Sequence, residues 1–198
     1  MVRAATSLQT LISMMCLSGR VINWENTMDQ RNCVEELVAE IQKALEHELY
    51  VIAVMSSLTL PDMCGALEKE NFWATNATYV EWCRINLPPS FFSLATPELM
   101  KEMRNNLLHT GRLDDAKQCG VGRLILTLPV PGLTFMNNRF NGDFLTDVRE
   151  FCLGLCKAAL TWLEAHKNDP VVLKNLEKMV QRRAEGMSPY VSGIGVIA

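Results

Sequence analysis

The sequence predicts a mostly helical α+β domain, a helical bundle carrying an added β-hairpin or small sheet. Three observations predict it. Apolar residues recur at steps of three and four over several long stretches. Pro and Gly stand where those stretches must stop. Between Gly120 and Phe140 the pattern changes to short runs rich in Val, Ile, Leu and Thr around a Pro-Gly turn.

Residues 1–27 read as an N-terminal extension or accessory helix. Leu8 to Leu17 is fairly apolar after a lone Arg3, but no small-x-small cleavage site follows it. Met28 opens the main pattern, and residues 28–198 read as one domain, long enough for a buried core. From Val34 through Leu37, Val38, Ile41, Leu45 and Leu49 to Ala53 the spacing predicts an amphipathic helix. Past Tyr50 it becomes apolar all round, which predicts burial on every side. Pro61 interrupts it, and Asp62 is placed to cap a following turn over 63–69. A shorter helix is expected over Ala77 to Ile85, ended by Pro88-Pro89-Ser90.

Thr96-Pro97-Glu98 is a helix start. Threonine caps, proline suits the first helical position and glutamate complements the positive end of the helix dipole. Gly111 is the matching stop, so a helix is expected from Pro97 to Thr110. Gly120 to Leu128 and Leu133 to Phe140 are expected to pair as a hairpin across Pro129-Val130-Pro131-Gly132. A long helix is predicted from Phe144 to His166, a last one from Val171 to Arg183, and a strand in the tail from Tyr190 to Ile197.

Composition narrows the function classes. The chain is 48% apolar and 21% charged with net charge −3, so no global basic field advertises nucleic acid. Locally the balance reverses: Lys101 to Phe140 holds six basic and three acidic residues, and Lys101, Arg112 and Arg123 are candidate phosphate contacts. The seven cysteines are odd in number and form no C-x-x-C pair, which points to free thiols and a cytoplasmic protein. No stretch reads as a span of ~20 apolar residues, so no membrane partner is expected. No cluster of His, Cys or carboxylates has metal-ligand spacing, and no cofactor is expected.

The segment richest in chemistry is Arg104-Asn105-Asn106-Leu107-Leu108-His109, at the end of the 97–110 helix. Cleaving RNA by transesterification needs a base near the 2′-hydroxyl and a cation for the added negative charge. Histidine supplies the first near neutral pH, and arginine the second by clamping phosphate oxygens. Positions five apart are rotated by about 140° on a helix, so Arg104 and His109 splay. Glu102, Asn105 and His109 share a stripe instead, which places Asn105 to orient the imidazole. The competing readings are a helix-terminal histidine satisfying the last carbonyls, a surface ion pair for Arg104 and a solvated Asn105.

This Arg-polar-x-x-x-His arrangement resembles the ribonuclease motif of HEPN domains (higher eukaryote and prokaryote nucleotide-binding). The helix-rich layout, with the motif near the end of a helix behind a long amphipathic one, is similar to the HEPN plan. The hairpin and C-terminal strand are not part of the minimal bundle. The resemblance implies a metal-independent endoribonuclease with RNA as substrate, working as a homodimer whose motif helices share one composite site. Arg104, Asn105 and His109 would then be its catalytic residues. It also implies a toxin-like or defence-associated role, held in check by an antitoxin or regulatory protein. The rival expectation is a HEPN-like protein that binds nucleic acid or nucleotide, or serves as a scaffold, without catalysis. Net acidity favours that rival, and the intact motif favours the enzyme.

Overall fold

A computed structural model describes residues 31–92, 96–113, 123–134 and 138–198. The expected extension over 1–27, Cys16, Cys119 and the Gly120 end of the expected hairpin lie outside them. About 55% of the structure is helical, with a few small strand pairs, as the mostly helical α+β reading requires.

The first helix among the described residues, α1 (Cys33–Glu46), starts on a capping box. The Asn32 side chain accepts from the Val34 and Glu35 N–H groups, and the Glu35 carboxylate accepts from the Asn32 backbone N–H. The single long helix expected here is broken. It stops at His47, Glu48 takes a positive φ of 60°, and α2 (Tyr50–Ser57) begins in a new direction. The expected all-round burial of α2 does not occur: Ala53, Val54 and Ser57 are buried, whereas Leu49, Val51 and Ile52 are each at least half exposed. Apolar residues all round a helix say nothing of how many faces the neighbours cover, and only one side of this short helix meets the core.

Helix α3 (Leu60–Leu67) follows, with Pro61 in its first turn where the missing N–H is harmless. The stretch Tyr50–Leu67 is long and apolar enough by composition to cross a membrane, contrary to the expectation above; 56% of it is buried inside the domain. Helix α4 (Asn76–Asn86) opens on a Thr75–Thr78 capping box, and the short α5 (Pro89–Phe92) follows. Helix α6 (Pro97–Thr110) has the expected bounds. Leu99 N–H donates to the Thr96 hydroxyl at 3.2 Å, and Gly111, at φ 71°, closes onto the Leu107 carbonyl at 2.9 Å.

The sheet departs from the expected hairpin. Strand β1 (Leu124–Thr127) pairs in parallel with β3 (Asp143–Asp147), and β2 (Asn138–Phe140) pairs antiparallel with β3, giving the order β1-β3-β2. The tight hairpin is β2–β3, turned at Asn141-Gly142, where both residues have positive φ (50° and 85°). A two-residue turn of that kind matches strand twist, and Asn-Gly is its favoured sequence. The Pro131-Gly132 turn forms, but it carries only one bridge, Val130 to Leu133.

Because the chain through Asp147 is committed to β3, helix α7 (Val148–Ala165) starts four residues later than expected, with Asp147 accepting from Arg149 and Glu150. This helix is the centre of the bundle. It buries Val148, Phe151, Cys152, Leu155, Cys156, Ala158, Ala159, Trp162 and Leu163 against α1, α2, α3 and α4. Helix α8 (Pro170–Leu176) ends seven residues short of the expected Arg183. Asn175 is buried near its end, donating to the Leu67 and Lys69 carbonyls at 3.1 and 2.8 Å and so satisfying the end of α3. The tail folds into two small pairs, β4 (Arg182–Arg183) with β7 (Val196–Ile197) and β5 (Gly186–Met187) with β6 (Val191–Ser192).

The five described cysteines are all free, four of them buried. Burial pushes the Cys152 and Cys156 thiols up to about 11 and about 12, so both stay protonated and act as small hydrophobes.

On α7, Gly154 lies close against the Phe91 ring. A Cβ there would come within 2.7 Å of the Phe91 ring. Gly154→Val is therefore expected to lower stability by about 1–3 kcal/mol through overpacking, despite its better helix propensity. Chemical denaturation checks this, and a variant as stable as the parent would show that the Phe91 ring gives way freely.

Candidate functional site

Helix α6 presents Leu99, Met100, Met103 and Leu107 to the core, against α4 and α2. That face fixes where the motif residues point. Arg104 follows a buried methionine and is turned along the flank towards α3 and α4, while His109 lies exposed in the last turn.

Arg104 is closely held. Its Nη2 donates to Asp62 Oδ1 at 2.8 Å, its Nη1 donates to Asn105 Oδ1 at 2.6 Å, and its guanidinium lies 4.8 Å from the centre of the Tyr79 ring. Only 13% of its side chain is exposed, against 24% for Asp62. The Nε atom is buried with no hydrogen-bond partner. Three helices thus meet on one guanidinium: Asp62 from the first turn of α3, Tyr79 from α4, and Asn105 from α6 itself.

The electrostatics of this cluster are set by burial. Desolvation raises the Asp62 carboxyl above its ordinary value, outweighing the pull of Arg104. The Tyr79 hydroxyl and Cys83 thiol are driven up by burial and by the nearby carboxylate, so both remain protonated. A carboxyl raised in the folded state makes folding weaken as pH climbs from its unfolded value through the folded one. The ion pair therefore joins the helices in register without a large net gain, as is usual for pairs taken out of water.

The remaining candidates are dispersed. Asn105 gives its carboxamide oxygen to Arg104, not to the imidazole it was expected to orient. Lys101 pairs with Glu102 at 2.7 Å, and exposed Arg123 pairs with Asp143 at 3.2 Å. Arg112 is exposed just beyond the Gly111 cap. His109 lies about 7.5 Å along the helix axis from Arg104 and around its far side. One protomer therefore gathers Arg104 with Asn105 and leaves His109 apart from them. Among the described residues no group of three or more His, Cys, Asp or Glu is placed to hold a metal ion.

Asp62 and Tyr79 escaped the sequence reading. Asp62 was expected only to cap a turn. A signal for the first was present: Asp62 is the only charge between Glu48 and Glu68, and a charge in so apolar a stretch demands a partner.

Removing one partner should expose how the pair works. Arg104→Met is expected to destabilise, approaching the ~3–5 kcal/mol of fully buried pairs but below it, because Asp62 keeps some water. The double variant Arg104→Met with Asp62→Leu should recover most of that loss. Denaturation of the two singles and the double measures the coupling, and additive losses would show that the two side chains act independently.

Compared with family models, with curated proteins and with solved structures, the chain matches none.

Proposed function

We propose that this chain is a cytoplasmic, metal-independent endoribonuclease of HEPN type that cleaves RNA as a homodimer in a toxin-like or defence-associated role. The observation that supports it is the pairing, on one helix, of an exposed imidazole with a guanidinium fixed by three neighbours. In this reading His109 takes the proton from a ribose 2′-hydroxyl. The 2′-oxygen attacks phosphorus, the bond to the 5′-oxygen breaks, and the products are a 2′,3′-cyclic phosphate and a 5′-hydroxyl. Arg104 carries the negative charge added to the phosphate, and the imidazole of the second copy returns a proton to the leaving oxygen. The dimer is needed because Arg104 and His109 point about 140° apart on their own helix.

A second reading is favoured by one observation. Arg104 is neutralised by Asp62 and largely buried, as suits a non-catalytic HEPN-like scaffold in which the motif arginine is a clamp.

Incubation of the purified protein with RNA in the presence of EDTA separates the two. The enzyme reading expects cleavage that survives the chelator and falls ~10²–10⁴-fold in His109→Ala. Asn105→Ala should cost less, by loosening Arg104. Cleavage that stops with chelator, or persists in well-folded His109→Ala, removes this mechanism. A dimer by light scattering that cleaves no RNA supports the scaffold, and a monomer in solution removes the composite site.

A further inference from the structure

We propose that Asp62 is a latch on Arg104, occupying the edge of the guanidinium that an RNA phosphate must take. The proposal rests on the reading of Arg104 as the phosphate-binding cation. A carboxylate oxygen on Nη2 at 2.8 Å supplies the charge and the hydrogen-bond geometry that a phosphate oxygen would supply. With Asn105 on Nη1, the Tyr79 ring against the guanidinium and Nε buried without a partner, Arg104 has no edge arranged for a ligand while Asp62 is in place.

The surroundings allow exchange. Asp62 sits in the first turn of α3, where the helix dipole favours a carboxylate even after its partner leaves. Its hydrogen bond and ion pair among the described residues are those it makes to Arg104. Tyr79 holds the guanidinium by a ring contact, which yields more readily than a second ion pair. Asn105 lies on the same helix and next in sequence, so it can follow the guanidinium as it swings outward. The same chain thus has a closed arrangement satisfied by Asp62 and an open one satisfied by phosphate. The raised carboxyl of Asp62 agrees with a group that gains little from staying ionised where it is.

The test is equilibrium binding of a 2′-O-methyl oligoribonucleotide, which lacks the attacking hydroxyl, to the wild type and to Asp62→Asn. Asparagine keeps the oxygen that accepts from Arg104 and removes the competing charge. Asp62→Asn is expected to bind roughly tenfold tighter or more, since only a hydrogen bond to a neutral oxygen, and no longer an ion pair, has to be broken. The gain should vanish in Asp62→Asn with Arg104→Met. Equal or weaker binding by folded Asp62→Asn overturns the latch. Should Asp62→Asn fail to fold, the Arg104 side-chain NMR signals of the wild type decide: displacement on adding the oligonucleotide supports the latch, and unmoved signals under saturating oligonucleotide overturn it. Tighter binding by Asp62→Asn with no cleavage of ordinary RNA keeps the latch and removes the ribonuclease reading. Cleavage by the wild type without tighter binding by Asp62→Asn removes the latch alone.

Discussion

Between Glu48 and Glu68 the chain carries a single charge, Asp62, in a run that is otherwise apolar or uncharged. Folding buries most of that run, so the carboxylate must either keep water or find a cation. It does some of both, and Arg104 is the cation. The contact ties three helices together: α3 brings its first turn to α6, and α4 turns Tyr79 against the guanidinium. Apolar burial supplies most of the stability, but it is indifferent to small slides between helices. A charge-assisted contact at 2.8 Å is not.

The same contact gives the motif helix two competing demands. Its inner face, Leu99, Met100, Met103 and Leu107, belongs to the core, and Arg104 next to that face is drawn into a partly buried pair. His109 is past the last buried turn and faces water. A short sequence motif thus spans the boundary between the packed interior and the open surface. The chemistry proposed for it depends on whether Arg104 can move from the first to the second.

Some of this architecture is legible in local sequence. The bounds of α6 follow from Thr96, Pro97 and Gly111, whose effects act within one turn and do not depend on distant residues. The change of period after Gly120 marks a β element for the same reason. Which strands pair was not legible in that way. A Pro-Gly turn and an Asn-Gly turn lie ten residues apart, and both form, but only the second has positive φ at both positions and continues into a ladder. The parallel pairing of β1 with β3 is a long-range contact that no local signal carries.

For the site, the sequence by itself determined the residue types, the helix they stand on and the angle between Arg104 and His109, because helix geometry is fixed by the backbone. It also held, as a lone charge in an apolar run, the sign that Asp62 would have to keep water or find a cation. Only the tertiary structure decided that the partner is Arg104, forty-two positions away, and that Asn105 serves the guanidinium instead of the imidazole. It decided as well that α2 covers one face and leaves Val51 and Ile52 in water. The physical reason is common to these cases. Spacing along the chain fixes which side chains share a face, whereas the partner that face meets is set by how the helices stack around α7.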